Sequence, residues 1–154
     1  MDLQSNMQTL PEVQTATLLM NEAVNWSVMK WLREKKRVRK TADEANAALD
    51  RLRRSIGAQW NDAVTAAYLE LGHGNGTKKD AAKANGDASR LAGQIKRADD
   101  EARHARMDAE ETFDKAEKQL STSLAREGCR KAIHSWELHE HAIRIAQAAI
   151  SGKS

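Results

Sequence analysis

Cysteine occurs once in the 154 residues, as Cys129, so no disulfide can close within the chain and a reducing compartment is the natural setting. Proline also occurs once, as Pro11, and glycine only eight times. Few positions are left at which the chain can turn through a missing donor or a positive φ. Aromatic residues make up 4% of the chain and aliphatic β-branched residues are sparse, so a sheet would have little to pack. No run approaches the roughly 18 apolar residues of a membrane-spanning helix. Met1-Asp-Leu-Gln-Ser-Asn lacks a basic segment leading into an apolar one. A cytoplasmic, at most membrane-peripheral, location is expected. A net charge of +3 is too small to imply nucleic acid, which is disfavoured as a partner.

What the chain does hold is charge, 31% of residues against 40% hydrophobic, laid out at helical spacing. Thr9-Leu-Pro-Glu12 has the form of a helix start, with Thr9 as cap and the proline in the first turn. Apolar residues then recur every three or four positions from Val13 through Trp31, Val38, Ala45, Leu49 and Ile56 to Leu71, the amphipathic signature. One helix over about 10–71 is expected. Thr41-Ala-Asp-Glu44 is a second capping-box string, which makes a break near residue 40 the alternative to continuity. Gly72-His-Gly-Asn-Gly76 has the composition of a reversal. A second helix follows over about 77–150 through Ala98, Ala102, Ala109, Ala116, Leu120 and Leu124, with Gly128 as a point of loosening.

The fold class expected is therefore all-α: a single domain over 1–154, built as a long antiparallel, coiled-coil-like hairpin that dimerises into a helical bundle. A reversal near residue 74 pairs positions whose numbers sum to about 149. Charge agrees with that register. Residues 30–54 carry ten Lys/Arg against four Asp/Glu, and their partners at 95–119 carry six basic and eight acidic residues.

Lys30, Arg33, Lys36, Arg37 and Lys40 form the strongest charge feature, and at helical spacing most of them share one side. Such a face suits lipid phosphates, each nearby cation adding about 1 kcal/mol. The competing expectation is a solvated face partly neutralised by Asp108, Glu110, Glu111 and Asp114 across the hairpin. Leu19, Trp26, Met29 and Trp31, with Trp136, Ile143 and Ile145 near the other end, form apolar stripes that a two-helix hairpin leaves uncovered. These seven are the expected protein interface, and a homodimer is the expected way to cover them; folding one stripe on the other is the alternative.

No catalytic set emerges, and no cofactor, metal or small-molecule substrate is expected. His134, Glu137 and His141 share a helical face but lack the zinc-protease order. Glu101-Ala-Arg-His104 is half of a di-iron motif whose other half is missing. Cys129 has Arg126, Arg130 and Lys131 nearby, which would lower its pKa if it were exposed. His73 lies among glycines that lack a P-loop ending. Ala92 and Gly93 are expected to permit a close helix contact near Trp60.

The order of features over roughly 18–150 resembles the second and third helices of BAR domains, particularly those of sorting nexins. The resemblance lies in an aromatic and basic stretch from Trp26 to Lys40, then Leu49-Asp-Arg-Leu-Arg-Arg54, a small-residue tip, and a second helix with Phe113 after Ala109-Glu-Glu-Thr. A BAR protomer has three long helices where this sequence reads as two. The resemblance implies a crescent-shaped dimer binding anionic, curved membrane, with Arg33, Arg37 and Lys40 on the basic face. Two other readings stand beside it. One is a soluble coiled-coil adaptor, of the kind found in flagellar and type III export machines, that binds another protein. The other is a carboxylate–histidine metal protein.

Overall fold

The computed structural model describes the backbone of residues 10–70 and 78–150 and the side chains of 10–59 and 89–150. It is all-α, with four helices: α1 Pro11–Ala23, α2 Val28–Glu70, α3 Lys78–Gln119 and α4 Thr122–Ile150. The glycine-rich reversal expected at 72–76, including His73, lies outside the described residues, as does Thr9. Pro11 opens α1, and Leu10 holds the capping position in an extended conformation without a side-chain hydrogen bond.

Each long helix expected from the sequence is divided, and at neither of the positions, near 40 and 128, that offered a possible break. The first breaks at 24–27. There Asn25 N–H donates to the Glu22 carbonyl and Trp26 N–H to that of Ala23, tightening the end of α1. Ser27 then caps α2, its Oγ accepting from Lys30 N–H at 3.2 Å. Near residue 40 the helix runs on unbroken. Thr41 is no cap, because its hydroxyl donates back to the Arg37 carbonyl at 2.7 Å.

The second division, at 120–121, reverses the chain. Leu120 has φ 52, the left-handed conformation that ends many helices, and Ser121 N–H donates to the Ala116 carbonyl at 3.1 Å. Ser121 Oγ accepts from Leu124 N–H and so starts α4. No break occurs at Gly128. It lies buried inside α4, where a Cβ would stand 2.9 Å from the Phe113 ring. Among the described residues there are thus three long helices, of 43, 42 and 29 residues, where two were expected.

α3 and α4 make the most extensive close contact, α4 also packs on α2, and α1 covers both α2 and α4. Small residues explain the closeness of α3 to α4. Ala102, Ala109 and Ala116 on one side and Ala125, Ala132 and Ala146 on the other are all buried. α2 and α3 are tied by long side chains. Arg53 reaches Asp99 at 2.8 Å, Arg106 reaches Asp50 at 2.8 Å, and Arg39 reaches Asp114 at 3.0 Å. These pairs sum to 152, 156 and 153, within about one to two helical turns of the expected register. Trp31, Trp136, Met20, Leu49 and Ile143 are the largest fully buried side chains, and Trp31 stacks on Phe113 with ring centroids 6.3 Å apart.

The apolar stripes therefore need correction. Leu19, Trp26, Trp31, Trp136 and Ile143 are buried and belong to one core within a single chain, with Ile145 half-buried against it. Of the seven residues expected at an interface, only Met29 is exposed, at 68%. The physical reason is the reversal at 120–121, which brings α4 against α2 and α3 and supplies the covering that a two-helix hairpin lacks.

Candidate anionic-surface face

Helix α2 carries cations on two sides, and the fold treats them differently. Arg39 and Arg53 face α3. The Arg39 guanidinium lies 5.5 Å from the Phe113 ring centre and binds both Asp114 and Glu117. Arg33, Lys36, Arg37 and Lys40 point outward and are exposed, while Lys30 is half-buried. Met29 stands one turn before Arg33 on the same stripe, exposed like its neighbour Val28.

Beneath this face lies Trp26, buried in the α1–α2 corner. The Lys30 ammonium is 5.2 Å and the Arg37 guanidinium 5.9 Å from its ring centre. Two cations over one indole are held near the helix surface by the ring's negative face. Arg37 also donates to Glu34 at 2.7 Å, and that hydrogen bond holds the Glu34 carboxyl below its ordinary range.

Two of the four acids expected to neutralise the face are engaged elsewhere. Asp114 binds Arg39, and Asp108 binds Lys131 at 3.0 Å, which pushes the Lys131 ammonium above its ordinary range. Glu110 and Glu111 are exposed on α3. Among the described residues no salt bridge holds Arg33, Lys36 or Lys40. Lys36 and Lys40 do border an open groove shared with Arg39, Asp43, Asp114 and Glu117.

A second polar feature was not anticipated from the sequence. Trp136 Nε1–H donates to Asn46 Oδ1 at 2.9 Å in the buried interior. The only signal was a polar residue among the seam positions Ala45 and Leu49. Nearby in charge, Asp50 receives Arg106 through two hydrogen bonds. Burial pushes the Asp50 carboxyl up, but Arg106 outweighs it and leaves the group below its ordinary range. Burial drives the His139 imidazole down to about 4, helped by the Arg106 charge and opposed by Asp50 and Asp99.

The remaining candidates disperse. Glu101, His104, His134, Glu137 and His141 are exposed, and no three metal-binding side chains gather among the described residues. Cys129 is buried, and desolvation pushes its thiol up to about 12, the reverse of the activation its basic neighbours suggested. A Cβ on Gly93 would meet nothing within 4 Å among the described residues; the contact expected near Trp60 lies outside them, because the Trp60 side chain does. No described helix is long and apolar enough to cross a membrane. Comparison with protein-family models, curated proteins and solved structures gives no match.

Proposed function

We propose that the protein is a non-enzymatic helical interaction protein that docks on anionic lipid surfaces through the outer stripe of α2. The observation that carries this reading is the division of cations on one helix: Arg39 and Arg53 are paired with α3, whereas Arg33, Lys36 and Lys40 are exposed without a salt bridge among the described residues. Exposed Val28 and Met29 at the end of the stripe supply apolar atoms that suit the boundary between headgroups and acyl chains. The apolar groups that a crescent dimer would bury are core within one chain, so the reading rests on this face alone.

Co-sedimentation with vesicles tests it. Binding is expected with phosphatidylserine, not with phosphatidylcholine alone, and weakens as salt rises. Replacing Arg33 and Lys40 by Gln removes about 2 kcal/mol at roughly 1 kcal/mol per cation, or about thirtyfold in partitioning. Equal pelleting of wild type and R33Q/K40Q would reject the face. No pelleting at low salt would shift the reading to a protein partner.

A further inference from the structure

We propose that the Leu120–Ser121 link is an exchange point, at which α4 leaves its own α3 and packs on the α3 of a second copy. The link is short and its backbone is held against preference. Leu120 is an L residue at φ 52, where glycine is the usual occupant, and it is 56% exposed, so burial of its side chain does little to offset the conformation. On either side the chain is helical without interruption. No glycine or proline lies between Gly93 and Gly128, and Glu117-Lys-Gln-Leu120 are all strong helix formers. Thr112, Ala116, Leu120 and Leu124 continue at four-residue spacing through the bend. Up to Leu120, local preference therefore favours continuing the helix that the fold ends, whereas Ser121-Thr-Ser123 favours a new cap.

The bent form is held by two things. One is the pair of bonds at Ser121, its N–H to the Ala116 carbonyl and its Oγ from Leu124 N–H. The other is the α4 core face, with Ala125, Cys129, Ala132, Trp136 and Ile143 buried. That second contribution does not require the α3 beneath it to be in the same chain. Straightening the link in two copies and exchanging α4 would re-form the same contacts between chains. It would also relieve the left-handed residue and return the link to the helical ladder. The bonds at Ser121 and the freedom lost on association oppose it, so concentration selects the form. Short, strained hinges between well-packed elements are the setting in which exchange occurs. The inference does not depend on what the basic face binds.

The test uses the full chain with Cys129→Ala, Asp108→Cys and Lys131→Cys, placing thiols where Asp108 and Lys131 now meet at 3.0 Å between α3 and α4. The protein is refolded from denaturant at concentrations from about 1 to 500 µM and treated with a short bis-maleimide, because mass action governs an exchanged dimer. Crosslinks within one chain mark the bent form; crosslinks joining two chains on a denaturing gel mark exchange. The interchain fraction is expected to rise with concentration and to rise further in Ser121→Ala, which removes the cap. Leu120→Gly, which relieves the bend, is expected to lower it by about fivefold or more. Should Ser121→Ala fail to reach wild-type helicity, the parent and Leu120→Gly decide the matter alone. Intrachain crosslinks at every concentration, or a dimer carrying only intrachain crosslinks, would overturn the proposal.

Discussion

Two glycines inside helices show how the neighbour across the interface decides what a residue is for. A methyl group on Gly128 would meet three Phe113 ring carbons at 2.9 to 3.2 Å, and that ring is itself pinned between Trp31 and Arg39. Overpacking of this kind costs about 1–3 kcal/mol, more than the roughly 1 kcal/mol that alanine gains over glycine in a helix. Gly128→Ala is therefore expected to lower the urea midpoint. Among the described residues a Cβ on Gly93 meets nothing within 4 Å, so Gly93→Ala should raise stability by about 0.5–1 kcal/mol. If both substitutions move the midpoint the same way, the close approach at Phe113 is not what Gly128 provides. Neither role was legible beforehand. Helix spacing marks Gly128 as helix interior, but that it faces an aromatic ring depends on the reversal at 120–121.

At the scale of elements, serine rather than glycine or proline punctuates the described helices. The breaks at 24–27 and 120–121 contain neither, yet each is followed by a helix whose first turn is capped by a serine hydroxyl, Ser27 or Ser121. The seam of threes and fours runs straight through both, because α1 and α2, and α3 and α4, present apolar faces on each side of their bends. Periodicity alone therefore reads each pair as one helix. The competing capping string at Thr41 is the stronger pattern, but its hydroxyl is taken by a carbonyl one turn back. Ser27→Ala is expected to destabilise by about 1 kcal/mol, the usual worth of an N-cap. That corresponds to a melting shift of roughly 2–4 °C for a chain of this size. Ser55→Ala, at an exposed position inside α2, should be neutral or slightly stabilising. Equal losses in the two variants would remove Ser27 from its capping role.

At the scale of the whole molecule, the basic and acidic halves of the long helices did meet as their sequences implied. Arg39, Arg53 and Arg106 each find an acid on the facing helix. What charge counting does not reveal is which cations turn inward, since that depends on how α4 rotates the pair. The same packing sets a dependence on pH. His139 has an ordinary imidazole value of 6.5 and is driven to about 4 in the fold, faced by Arg106 and Asp99 from α3 and by Asp50 from α2. A depressed base is held neutral by folding, so its contribution is intact above 6.5 and is lost as pH falls from 6.5 toward 4. Urea midpoints should decline across that window, and His139→Gln should flatten the decline; an unchanged slope would assign it to other groups. Glu140, raised first by burial, acts with the opposite sign at the acid end. The arrangement of helices also has a consequence for the order of assembly. α4 packs against each of the three other helices, and a ribosome delivers it after all of them. The core faces of α2 and α3 therefore lack their covering until α4 has emerged. Until then Trp31, Leu49 and Phe113 lack the α4 side chains that complete their burial, and the short α3–α4 connection then closes at little cost in chain entropy.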